Sequence, residues 1–136
     1  MPNQEMKSLN HCIYNTSYHL VLVTKYRKKV INTPILNRIK YLAQERTEAW
    51  KGSLHEINGE PDHIHLMLTL PPNVAISDFV NALKTGISRR IRNEFHEHVK
   101  KFLWGKAFWS RSYCVVSCGG APLNIVKQYI QNQKGT

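Results

Sequence analysis

Acidic side chains are scarce in this chain of 136 residues: nine Asp and Glu stand against nineteen Lys and Arg, giving a net charge of +10. Solubility alone needs less charge than that, so the imbalance favours a polyanion as partner, and nucleic acid is the commonest one. Long apolar runs are also lacking. No stretch approaches the roughly 18 apolar residues of a membrane span. Met1 to Asn10 is polar, without the apolar segment of a secretion signal. Cysteine is limited to Cys12, Cys114 and Cys118, an odd count that suits a reducing cytoplasm. Cys114 and Cys118 fall in one expected strand, where four residues span about 13 Å; that excludes a disulfide or a shared zinc ion between them and leaves a core role. Repeats, low-complexity tracts and linkers are absent. With 42% hydrophobic residues, the chain is expected to fold as a single domain over residues 1–136.

What is present alternates in character. Ser17 to Thr24 (SYHLVLVT) reads as a strand. Thr33-Pro34 opens a helix, with Thr33 as cap, apolar positions Ile35, Leu36, Ile39, Leu42 and Ala43, and Gly52 at its end. Leu54 to Asn58 and Asp62 to Leu70 form an expected hairpin around Asn58-Gly59-Glu60-Pro61, stopped by Pro71-Pro72. Ser77-Asp78 caps a second helix with Phe79, Val80, Leu83, Ile87 and Ile91 on its apolar side. An aromatic stretch then leads to a strand from Ser112 to Cys118. Gly119-Gly120 breaks that strand, and Pro122 starts a final helix. The order β-α-β-β-α-β-α begins with the split βαβ pattern of a ferredoxin-like α+β sheet. Helices on one face leave the other free, and the last helix is its natural occupant.

Two His-x-His triplets occur, and the bare pattern is weak. His96-Glu97-His98 follows a helical segment, where residues two apart diverge, so it reads as a solvated surface feature. His63-Ile64-His65 lies in a period-two segment: His63, His65, Met67 and Thr69 share one face, while Ile64, Leu66, Leu68 and Leu70 take the other. Two readings are open here. The pair can be satisfied polar residues on a half-exposed sheet, or two ligands of one metal ion, which then needs a third donor.

Tyr129 and Gln133 are four apart and share a face of the final helix. By spacing alone, Tyr129 is a packing residue and Gln133 is solvated. Chemistry offers another reading. A phenol can attack a DNA phosphate and keep a reactive phosphoryl bond for later rejoining, although its ordinary pKa near 10 makes it a weak nucleophile. A divalent ion held by His63, His65 and the Gln133 amide oxygen would neutralise charge on that phosphate. Basic clusters at Lys25, Arg27, Lys28 and Lys29, and at Arg89, Arg90 and Arg92, are candidate phosphate contacts. Tyr26 and Trp109 are candidates for stacking on unpaired bases. Asp62 can orient a histidine, though its strand phase points away.

These residues resemble a known family. Glu60-Pro61-Asp62-His63-Ile64-His65-Leu66 looks like the HUH motif (histidine, hydrophobic, histidine). Tyr129 with Gln133 is similar to the single-tyrosine motif of transposases of the insertion-sequence 200/605 family. Tyr18-His19-Leu20-Val21, Lys25-Tyr26-Arg27, Leu83-Lys84, Ser88-Arg89-Arg90, Trp109-Ser110-Arg111-Ser112-Tyr113 and Gly119-Gly120 extend the likeness over about residues 14 to 133. Lys84-Thr85-Gly86-Ile87 departs from the family's run of small polar residues, which touches DNA contacts and not the chemistry. The resemblance implies a homodimer that acts on single-stranded DNA bearing hairpins, with Mg²⁺ or Mn²⁺ as cofactor. It implies Tyr129 as nucleophile forming a 5′-phosphotyrosine, and His63, His65 and Gln133 as metal ligands. Lys84 joins the DNA contacts. Active sites can be shared between subunits, with Gly119 and Gly120 as the hinge. Rival readings are a repeat-associated tyrosine transposase-like protein, a non-catalytic nucleic-acid-binding domain and a zinc hydrolase. The first usually carries a C-terminal extension, and this chain stops three residues after Gln133. An RNA-recognition aromatic motif is missing, as is a further zinc ligand at suggestive spacing.

Overall fold

The computed structural model describes residues 7–9, 12–14, 16–117 and 131–132. A short antiparallel hairpin, β1 (Lys7–Leu9) and β2 (Cys12–Tyr14), precedes the main sheet and had no clear signal in the sequence. The sheet contains β3 (Ser17–Thr24), β4 (Ser53–Glu60), β5 (His63–Thr69) and β6 (Trp109–Ser117), in the order β4-β5-β3-β6, with every neighbouring pair antiparallel. Two long helices complete the split βαβ pattern: α1 (Thr33–Ala49) and α2 (Ile76–Glu94). A short α3 (His96–Val99) follows. This is the ferredoxin-like α+β arrangement expected. The final helix that would carry Tyr129 lies outside the described residues, apart from Gln131 and Asn132, which are helical and exposed.

Alternation along the strands sorts the two faces of the sheet. Leu20, Leu22, Ile64, Leu66, Leu68 and Leu70 are buried together with Ile35, Ile39, Leu42 and Ala43 of α1 and all five expected positions of α2. Apart from Ala43, each such side chain contributes about 1.5–3 kcal/mol of hydrophobic stabilisation. The opposite face bears His19, Val21 and Val23 of β3 and His63, His65 and Met67 of β5. Val21 and Val23 are also buried, with Cys114 and Val116 packed on them.

The chain ends its elements by other means than expected. Asn32, not Thr33, caps α1, its side-chain oxygen accepting from the Ile35 N–H at 3.0 Å. At the other end Lys51 takes the left-handed conformation, φ 65°. Gly52 serves a close approach instead: a Cβ there would lie 2.7 Å from the Thr69 carbonyl oxygen. The β4–β5 turn is Pro61-Asp62, shifted from the Asn58–Pro61 expectation. Asn58 and Gly59 remain in β4, where a Cβ on Gly59 would meet Leu36 Cδ1 at 2.6 Å. Ala75 precedes α2 with no side-chain cap, and Ser77 and Asp78 fall inside its first turn, where the Asp78 charge suits the helix dipole. His98 is half-buried with Nε2 2.9 Å from the Val30 carbonyl oxygen, so only His96 and Glu97 of that triplet are exposed.

Candidate active site

Register brings the histidines together. His65 lies opposite Val21 and His63 opposite Val23, while His19 sits one pair further along, opposite Met67. His63 and His65 are both half-buried on the face away from α1 and α2. His19 Nδ1 lies 3.1 Å from His65 Nε2, with the ring planes 20° apart. Spacing and composition had assigned His19 no role of its own. The clue available was its phase: in SYHLVLVT it shares a face with Ser17, Val21 and Val23, as the one titratable group among them.

Asp62 orients His63. Its Oδ1 is 2.9 Å from His63 Nδ1, and Oδ2 receives Arg27 Nε at 2.9 Å and Arg27 Nη2 at 2.8 Å. Because Asp62 occupies the turn and not the strand, strand phase does not direct its side chain. Burial pushes the Asp62 carboxyl up, but the hydrogen bonds with His63 and Arg27 and the nearby positive charge outweigh it and hold the pKa below its usual range. An ionised carboxylate only accepts, so His63 Nδ1 carries the proton that faces Asp62, and Nε2 is the ring nitrogen left to meet a metal ion. A carboxylate behind an imidazole is the usual support of a metal-ligating histidine.

His65 resists protonation because of where it lies. Burial lowers its pKa, helped by His19 and His63 and opposed by Glu56. A neutral imidazole is the form that binds metal. The donor types therefore fit a divalent ion, with the Asp62-supported His63 as the better prepared ligand. His65 Nε2 must exchange its contact with His19 if it is to coordinate through that atom. Among the described residues no group of three or more His, Cys, Asp and Glu is arranged to hold a metal. A metal ion bound at this pair would need its further donors from outside these groups. Gln133, Tyr129, Gly119 and Gly120 lie outside the described residues.

The first basic cluster adjoins this centre. Lys25–Arg27 forms a 3-10 turn in which Tyr26 and Arg27 both adopt left-handed angles, φ 56° and 53°. Thr24 fastens it: its N–H donates to the Asp62 carbonyl at 3.0 Å and its hydroxyl to the Lys28 carbonyl at 2.7 Å. Tyr26 is 59% exposed with Lys25 Nζ over its ring, and Lys28 and Lys29 face solvent. Trp109 does not share that availability. It is buried edge-on against Phe108, so it packs rather than offering a free ring face as expected.

The second cluster divides by partner. Arg90 pairs with Glu94 at 3.0 Å, and Glu94 also binds Arg38 of α1. Arg89 is exposed. Arg92 Nη2 donates to the Ala107 carbonyl, and Lys84 Nζ to the Ser110 carbonyl at 2.8 Å.

Comparison with known proteins agrees with this geometry. A family model described as "Transposase IS200 like" matches residues 12–133. The ISDra2 transposase TnpA of Deinococcus radiodurans is 34% identical over 131 residues, covering 95% of this chain and 91% of that protein. The transposase for insertion sequence element IS200 of Salmonella typhimurium is 30% identical over 128 residues, covering 93% and 82%. A crystal structure of a Deinococcus radiodurans transposase superposes with a TM-score of 0.86 at 33% identity, covering 96% of this chain and 100% of that one. A REP-associated tyrosine transposase bound to a REP hairpin shares the fold alone, with a TM-score of 0.59 at 12% identity over 93% and 67% of the two chains. The chain belongs to the IS200-like transposase family.

Proposed function

We propose that this transposase cleaves and rejoins single-stranded DNA through Tyr129, with Mg²⁺ or Mn²⁺ held by His63, His65 and Gln133. The observation that carries the reading is the Arg27–Asp62–His63 chain beside His65 on one sheet face. Such support would be superfluous for a merely solvated histidine. The Tyr129 oxygen attacks the phosphorus of the scissile link, the 3′ oxygen leaves as a hydroxyl, and the 5′ phosphate stays on the tyrosine. Attack by another 3′-hydroxyl reverses the step and frees Tyr129. A bound divalent ion would neutralise the phosphate and stabilise the leaving oxygen. Lys25, Lys28 and Lys29 follow β3, whose end is tied to Asp62 beside His63 by the Thr24 N–H, and supply positive charge for the DNA backbone.

Hairpin DNA is the proposed substrate and a homodimer the proposed assembly, with Gly119-Gly120 as the hinge that lets subunits share sites. A protein of the same fold was solved with a REP hairpin bound, so this fold can hold such DNA. The deciding assay incubates the protein with labelled single-stranded hairpin DNA and Mn²⁺ and looks for a covalent protein–DNA band. Wild type should give the band and Tyr129→Phe should not; double-stranded substrate should be inert. A band that persists in Tyr129→Phe removes Tyr129 as nucleophile. Alanines at Gly119 and Gly120 should impair strand transfer more than DNA binding, and equal loss of both counts against the hinge.

A further inference from the structure

The acidic residues are spent unevenly. The ion pairs to Lys and Arg among the described residues join Arg27 to Asp62, Arg38 and Arg90 to Glu94, and Lys100 to Glu97. None involves Lys84, Arg89, Arg92 or Lys106. These four cations instead line one open groove of ≈ 510 Å³ beside α2, with Thr85 and Ser88 adding hydroxyls and no carboxylate in the wall. Lys84 and Arg92 are anchored there by backbone carbonyls, which fixes their positions without neutralising their charge. Burial pushes the Lys84 ammonium down, and Lys25 adds to the effect. The groove thus gathers positive charge and partly desolvates it, a state that an anion relieves.

A second observation concerns hydrogen bonding. Among the described residues, the buried side-chain nitrogens or oxygens without a partner are Arg92 Nε and Trp109 Nε1. Both belong to residues that line this groove, and Trp109 is 5% exposed. Both atoms are donors only, so the missing element is an acceptor. An anion in the groove answers its exposed charge, and the wall behind it is short of acceptors.

We propose that this groove is a phosphodiester-backbone site that positions the DNA on the transposase; the proposal rests on the DNA-cleaving function above and adds where the strand is held. The groove binds by charge and tells no base from another. It is distinct from the Lys25–Lys29 loop and omits Arg90, whose charge Glu94 occupies.

Arg89 and Lys106 are exposed and make no hydrogen bond or ion pair among the described residues, so Arg89→Ala with Lys106→Ala should leave the described packing intact. Binding of the labelled single-stranded hairpin is measured across a salt series for wild type and this double variant. Every phosphate that is no longer neutralised by a side chain reduces the slope of log affinity against log salt by about 0.7 to 0.9, so the double variant should lose about 1.4 to 1.8 and bind more weakly. Lys100→Ala with Lys101→Ala, outside the groove lining, removes the same formal charge and should leave the slope unchanged. If the groove variant binds with the wild-type slope and affinity, or the control variant weakens equally, the groove assignment is overturned. Wild type that forms no covalent complex defeats the enzymatic reading instead, so the two failures are distinguishable.

Discussion

At the residue scale the controlling group is Asp62. It neutralises Arg27 and fixes the protonated nitrogen of His63, two tasks that an amide cannot perform together. Asp62→Asn should retain the fold by circular dichroism while weakening Mn²⁺ binding about 10- to 100-fold by titration calorimetry. Unchanged binding would sever Asp62 from the metal. His65 makes a separate prediction through its depressed pKa, caused first by burial and then by His19. Below the ordinary imidazole value, near 6.5, the unfolded chain takes up a proton that the folded chain resists. Stability from this group is therefore complete above that pH and is lost as pH falls towards the folded pKa. Metal-free melting curves from about pH 7 to 5 should fall less steeply for His65→Gln than for wild type, and parallel curves would remove His65 as a source. Cys114, whose thiol burial pushes up, should react slowly with alkylating reagents near neutral pH compared with a free cysteine.

At the element scale, local sequence carried most of the information. Period two located β3 with both ends correct, and helical spacing chose all five buried positions of α2. Termini were less legible because several residues near each end qualify. Asn32 and Thr33 are both good caps, and only the observed bond to Ile35 decides between them. Asn32→Ala should cost about 1 kcal/mol in denaturant unfolding. The glycines misled for another reason. A glycine can signal a turn or a close approach, and Gly52 and Gly59 are tight packing sites whose neighbours come from distant segments. Gly52→Ala should destabilise by about 1–3 kcal/mol, since the obstacle is backbone and cannot rotate aside. A neutral result would show that β5 yields there. The Arg27–Asp62 pair and the His19–His65 contact were invisible for the same reason: each joins residues far apart in sequence.

At the scale of the whole molecule, the sheet divides labour between its faces. One face packs two helices and supplies the hydrophobic core; the other gathers three imidazoles. The sequence showed this division along His63–Leu70; for His19 its phase in β3 was the one clue, and the pairing register that sets it beside His65 joins residues far apart in sequence. Charge is divided as well, since Glu94 clamps α1 to α2 through Arg38 and Arg90 while the adjoining groove stays cationic. If the proposed dimer forms, sedimentation should report two chains of 15.8 kDa each, and a monomer at working concentration would require each site to be completed within one chain.

The two successive left-handed residues at Tyr26 and Arg27 are an uncomfortable backbone for side chains of that size, at about 1–2 kcal/mol each. They persist because the guanidinium is moored to Asp62, and the same carboxylate aims His63. Under the function proposed above, a nucleotide tugging on that turn would be felt at the imidazole, and slackening the mooring should unsettle strand capture and cation capture in one stroke.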